Sequence, residues 1–151
     1  MTVTVNGLDG LKALAGTGLG HTGWLEITQE RVNAFADATD DHQWIHVDRE
    51  RAAAGPFGGT IAHGFLTLSL TIPLFGELMD VRGLSMQINY GLNRVRFPAP
   101  VPAGSRVRAR IRVDSVEPIQ GGVQVTMTVT FEREGGEKPV CVAEQVFRFV
   151  R

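Results

Sequence analysis

At 151 residues, with 43% hydrophobic and 21% charged residues, the chain has the composition of one globular domain, which argues against a disordered protein. A formal net charge of -1 argues against a general nucleic-acid binder. The single cysteine, Cys141, excludes an intramolecular disulfide framework, and its apolar neighbours Val140, Val142 and Ala143 favour a buried, inert thiol over a nucleophile.

Residues 8–12 contain Asp9 and Lys12 and are too polar for the core of a secretory signal. The most apolar run, residues 65–75, is too short to cross a bilayer and contains Pro73. The expectation is a single cytoplasmic domain over residues 1–151, with no membrane segment. Residues 8–15 read as a short helix that Gly16 and the glycines up to Gly20 break. Residues 24–27 form a brief strand. Thr28 then offers an N-cap hydroxyl to a helix whose positions Val32, Phe35, Ala36 and Thr39 recur at helical spacing, ending near Asp40. Asp48 is placed to cap another short helix over 49–54, before the glycine-rich loop 55–59.

From Gly64 onward, Phe65, Leu66, Leu68, Leu70, Ile72, Leu74 and Phe75 cover every side of a helix, and such a helix belongs inside a core. Pro73 removes one internal hydrogen bond, which predicts a kink or an end near Ser69. The rest alternates with period two. Val107, Ala109, Ile111 and Val113 face one way, and Arg106, Arg108, Arg110 and Arg112 the other. Val123, Val125, Met127, Val129 and Phe131 continue the pattern, and turns at 120–122 and 134–136 make these strands a meander. Residues 84–97 and 140–150 supply two more strands. A sheet with one apolar face and a wholly apolar helix have a simple joint solution, an α+β domain in which a curved antiparallel sheet wraps the helix.

The densest polar cluster is Asp40-Asp41-His42-Gln43-Trp44-Ile45-His46-Val47-Asp48, between two short helices, where functional groups concentrate. Asp41 and His46 are five positions apart, so they share a site only if the loop turns. On spacing alone, a solvated loop with an aspartate as cap and His46 bonded to backbone explains the run as well as a dyad does. A metal centre from His42, His46 and nearby acids lacks a recognised ligand spacing. The second signal is Ile61-Ala62-His63-Gly64. A glycine opening a buried helix exposes an N–H at the positive end of the helix dipole, where it can hold an oxyanion. Close packing on a strand is its plainer use. His63 reads as a capping or packing residue.

With Phe35 to Leu70 as its centre, and Ile88-Asn89-Tyr90-Gly91-Leu92-Asn93-Arg94-Val95-Arg96-Phe97-Pro98 beyond it, the chain resembles the MaoC-like, (R)-specific enoyl-CoA hydratases of the hotdog fold, in their single-hotdog bacterial branch. The resemblance implies that Asp41 and His46 are the catalytic pair and that the Gly64 N–H contacts the thioester carbonyl. It further implies an acyl chain lying against Leu66 and Leu70, an acyl-CoA thioester substrate, no metal or redox cofactor, and a homodimer joined edge to edge. The implied reaction adds water to trans-2-enoyl-CoA to give (3R)-3-hydroxyacyl-CoA. The same fold also dehydrates 3-hydroxyacyl groups on acyl carrier protein and hydrolyses thioesters. A non-catalytic acyl-CoA-binding subunit would keep the fold without the activity, although the intact Asp41/His46 pair argues against it. Asp40, His42 and Trp44 depart from the residues usual around the pair, and Ile72 stands where some relatives carry serine, so substrate range stays open. The arginine stripe reads as an exposed sheet face, with contact to CoA phosphates as its alternative.

Overall fold

The protein is described by a computed structural model covering all 151 residues. The elements run in the order β1 (Val3–Asn6), α1 (Gly7–Lys12), β2 (Gly18–His21), β3 (Leu25–Glu26), α2 (Gln29–Thr39), α3 (Trp44–Val47), α4 (Arg49–Ala53), α5 (Gly64–Ser69) and α6 (Thr71–Leu78). Strands β4 (Met79–Arg82), β5 (Met86–Arg96), β6 (Arg106–Ile119), β7 (Gly122–Arg133) and β8 (Cys141–Val150) follow.

The caps expected for the helices form. The Thr28 hydroxyl accepts the Arg31 N–H at 3.1 Å, and Asp48 Oδ1 accepts that of Arg51 at 3.0 Å. Pro73 has no N–H for the Ser69 carbonyl, and the long apolar helix breaks into α5 and α6 at Leu70.

Strands β6, β7 and β8 form the predicted meander in a six-stranded sheet of order β2-β6-β7-β8-β5, with β3 also on β6. The register pairs Ala109 with Phe131, Ile111 with Val129 and Val113 with Met127, so apolar side chains coincide on the inner face. Gly121 turns the chain at φ 78°, and Gly122 leaves room for the Phe149 carbonyl, 1.9 Å from where a Cβ would stand. Leu66, Leu70, Leu74 and Leu78, four residues apart, form one buried ridge of α5 and α6 inside the curve of this sheet. This is the hotdog arrangement that the resemblance implies.

Three features depart from expectation. The central helix is not buried all round: Phe65 is 70% exposed and Ile72 47%. Gly18–His21, expected as a break, pairs with β6 as an edge strand. A parallel pair, β1 on β4, joins Val3 to Met79 and Asn6 to Arg82 and was not anticipated. Such short strands gain their structure from a distant partner rather than from local pattern.

The arginine stripe faces outward and is neutralised within the sheet. Arg108 meets Glu132 at 2.8 Å and Arg110 meets it at 3.5 Å, while Arg112 lies 3.6 Å from Asp114. The Arg108 hydrogen bond holds Glu132 below the usual carboxylate range. These pairs, across β6 and β7 for Glu132 and along β6 for Asp114, favour the exposed-face reading. No helix is long and apolar enough to cross a membrane.

Candidate active site

Helix α2 ends at Thr39, and Asp40 reverses the chain in the left-handed region at φ 59°, a conformation Asp tolerates better than most residues. Asp41 to Gln43 then turn, and the single helical turn α3 carries His46 back beside Asp41. The loop therefore turns as the dyad requires. Asp41 is half exposed and its Oδ1 accepts the Gln43 N–H at 3.4 Å.

His46 is buried and held from two sides. Its Nδ1 lies 2.6 Å from the Ile61 carbonyl. A carbonyl only accepts, so Nδ1 carries the proton and Nε2 keeps its lone pair. The His46 carbonyl accepts from Gln29 Nε2 at 2.7 Å, and the Gln29 side-chain oxygen accepts from the buried Thr60 hydroxyl. Burial lowers the His46 imidazole below its ordinary value of 6.5, against the opposing effect of the Ile61 hydrogen bond. The result is an imidazole biased towards its uncharged form, with a free basic nitrogen.

Asp41, His46 and Gly64 share one cleft of about 460 Å³, walled by Phe35, Phe65 and Phe97. Gly64 is the first residue of α5, so its N–H has no helical carbonyl to bond. A Cβ there would stand 3.1–3.2 Å from the Phe97 ring, so close packing also favours glycine. A polar cleft of about 500 Å³ beside Gly58 and Gly59 holds Glu26 and Glu30 but none of the predicted site residues.

His63 occupies the N-cap position of α5, yet its side chain makes no cap. Instead it reaches the Asp41 carbonyl, with Nε2 at 2.9 Å, and stacks on His46 with ring centroids 3.8 Å apart. The packing half of the expectation for His63 holds and the capping half does not, while its bond to Asp41 escaped the sequence because only the folded loop brings residue 41 against residue 63. His42 turns outward to Asp37 at 2.8 Å and lies outside the cleft. Trp44 packs under the Arg51 guanidinium, 4.3 Å from its ring centre. Leu66 and Leu70 face the core and do not line this cleft. Cys141 is fully buried, and burial pushes its thiol up to about 11, which keeps it out of nucleophilic chemistry.

Asp41, His46 and His63 offer ligand atoms within 4.8 Å of one another. Their geometry does not suit a shared metal ion. The two rings are stacked at 23°, so their nitrogen lone pairs run side by side rather than converging, and His63 Nε2 is engaged by the Asp41 carbonyl.

The MaoC like domain family matches residues 11–134. A 3-hydroxyacyl-thioester dehydratase Z of Mycobacterium tuberculosis is 57% identical over 148 residues, covering 97% of this chain and 98% of its own. Among solved structures, a monoamine oxidase regulatory protein from Archaeoglobus fulgius superposes with a TM-score of 0.79 at 23% identity, covering 100% of this chain and 97% of that one. An (R)-hydratase from A. caviae involved in PHA biosynthesis superposes with a TM-score of 0.72 at 26% identity, covering 88% of this chain and 94% of that one. The motif that places Asp41, His46 and Gly64 in one cleft thus lies within a match over most of the chain, and the chain belongs to the MaoC-like domain family.

Proposed function

We propose that the protein is a hydro-lyase that interconverts (3R)-3-hydroxyacyl and trans-2-enoyl thioesters. The observation that carries this reading is the free Nε2 of His46 beside the Asp41 carboxylate, in one cleft with the Gly64 N–H. The name of the Mycobacterium tuberculosis relative favours dehydration of a 3-hydroxyacyl thioester as the working direction, ahead of the enoyl-CoA hydration inferred from sequence.

In that direction His46 Nε2 takes a proton from C2. Negative charge passes to the thioester oxygen, held by the Gly64 N–H. The C3–O bond then breaks, and the proton returns from His46 to the departing hydroxyl, which leaves as water. The Asp41 carboxylate orients that hydroxyl and stabilises the imidazolium while it lasts. Hydration runs the same steps backwards. The scheme uses no metal or redox cofactor, and the carrier is CoA or acyl carrier protein. With Leu66 and Leu70 in the core, the aromatic walls Phe35, Phe65 and Phe97 are the better surface for the acyl chain. A single buried free thiol suits a reducing compartment, and we place the enzyme in the cytoplasm.

Incubation with (3R)-3-hydroxybutyryl-CoA or crotonyl-CoA, followed by enoyl absorbance, chiral separation and a thiol reagent, tests this. Interconversion through the R isomer with no free thiol is expected. Release of CoA at the rate of substrate loss would identify a thioesterase. Tight binding without turnover at any chain length would favour a non-catalytic subunit, and an S product would contradict the stereochemistry.

The assembly proposed is a homodimer. Strand β5 ends the sheet with only β8 as neighbour and exposes Met86, Ile88, Tyr90 and Leu92. Such an edge is a template for pairing, and a second copy joined there would extend one sheet into the next. Light scattering is expected to give twice the chain mass, and Ile88→Asp to shift the protein towards monomer. A wild-type monomer with full activity would rule the dimer out as a requirement.

A further inference from the structure

We propose that His63 is the positioning residue of this site: it fixes the Asp41 backbone through Nε2–H and, by stacking, holds His46 in its basic form. This rests on the hydro-lyase reading only for its kinetic arm. The His63 side chain is 97% buried, yet the mechanism has no step for it.

Its own backbone frees the ring for the task. The His63 carbonyl opens α5 by accepting from Leu66 N at 3.1 Å and Thr67 N at 3.3 Å, while the side chain turns away from the helix. The imidazole then makes four contacts, one of them from Nε2 to Asp41 Oδ2 at 3.9 Å. Nε2 lies 2.9 Å from the Asp41 carbonyl, one ring face stacks on His46 at 3.8 Å, and Phe35 closes in at 4.9 Å and 52°. Because a carbonyl only accepts, Nε2 carries the hydrogen and Nδ1 the lone pair. Nδ1 is buried with no partner. A bare lone pair is the tolerable form of such an orphan, and its burial keeps that nitrogen out of contact with substrate. His63 therefore acts through its neighbours.

Both neighbours need it. Asp41 is otherwise tethered only by its long 3.4 Å contact with the Gln43 N–H, and a carboxylate that wanders loses the geometry acid–base work requires. His46 faces two titratable groups, His63 from the loop before α5 and Asp41 from the loop after α2. Burial, to which the stacked His63 ring contributes by covering one face, opposes its charged form, whereas the Ile61 hydrogen bond and the nearby Asp41 favour it. Removing the ring would admit water to His46, raise its pKa towards the ordinary value, and so require a higher pH to keep it basic.

Two variants separate these roles. His63→Phe keeps an aromatic stack and loses the donor to Asp41, so kcat should fall about tenfold to a hundredfold with KM little changed. His63→Gln restores a donor and loses the stack, so kcat should recover in part while the acidic limb of the pH profile moves to higher pH. An NMR titration of His46 in wild type and both variants needs no substrate and should show the same displacement in His63→Gln alone. In the wild type, the His63 ring should show the Nε2–H tautomer. Wild-type kinetics in His63→Phe, or an undisplaced His46 titration in folded His63→Gln, would overturn the proposal. So would an Nδ1–H tautomer in the wild type, a measurement that depends on no variant folding. Loss as deep as that of His46→Gln in both variants would also overturn it, by making His63 a proton carrier. A wild type inactive on every thioester, with the NMR results as expected, would instead sink the hydro-lyase reading and leave the positioning role.

Discussion

Asp41→Asn and His46→Gln are each expected to lower turnover of the 3-hydroxyacyl thioester by about 10²–10⁴-fold, the range for loss of one general acid–base group. The two should differ in stability. Asp41 is half exposed and makes one long backbone contact, so its amide variant should melt close to wild type. His46 is a buried ring bonded to Ile61 and stacked on His63, not the solvated loop group that its sequence context suggests. Its glutamine variant should therefore melt measurably lower, because buried groups lose both packing and a hydrogen bond. His42→Gln serves as the control. Its ring is exposed and bound to Asp37, so activity should be retained. Initial rates with thermal melts on the three variants decide the matter. A His42 variant as inactive as His46→Gln would mean that the wrong histidine has been assigned.

The contrast between His46 and His63 shows what sequence makes legible. Period-two alternation from Val107 to Phe131 fixes which side chains face inward, because a strand leaves no other choice. The Asp41/His46 pair was legible through its motif, since six residues suffice to write it. The His63 contact was not, because a ring 17 residues beyond His46 meets it only when α5 packs under the loop. The same reason hid the parallel pair β1 and β4, whose partners are more than seventy residues apart. The all-apolar helix misled in a different way. Hydrophobicity on every side predicts burial on every side, whereas the chain leaves Phe65 and Ile72 open, apolar surface of the kind that marks interaction sites. The exposed β5 edge carries the same message, and a second copy is the cover proposed for it.

Gly64→Val is expected to cost activity far more than stability, and the structure supplies the competing explanation as well as the means of removing it. If the Gly64 N–H holds the thioester oxygen, a side chain there crowds the carbonyl, and loss of such a contact is worth about 10²–10³-fold in turnover. If glycine is present only to admit the Phe97 ring, then the same side chain should disturb packing, and activity and melting should fall together. Glycine is not required by the backbone, since Gly64 is absent from the residues with positive φ, and a larger residue in the first helical turn gains helix propensity. The neighbour that must give way is a 42% exposed aromatic side chain, which can swing outward at small cost. Folding should therefore tolerate Gly64→Val. Combining it with Phe97→Leu relieves the contact, and because that ring also walls the cleft the double variant is compared with Phe97→Leu alone. Under the oxyanion role the double variant remains slow, because the carbonyl is still obstructed. Recovery of wild-type turnover on removing the Phe97 ring would assign Gly64 to packing and leave the developing negative charge to some other donor.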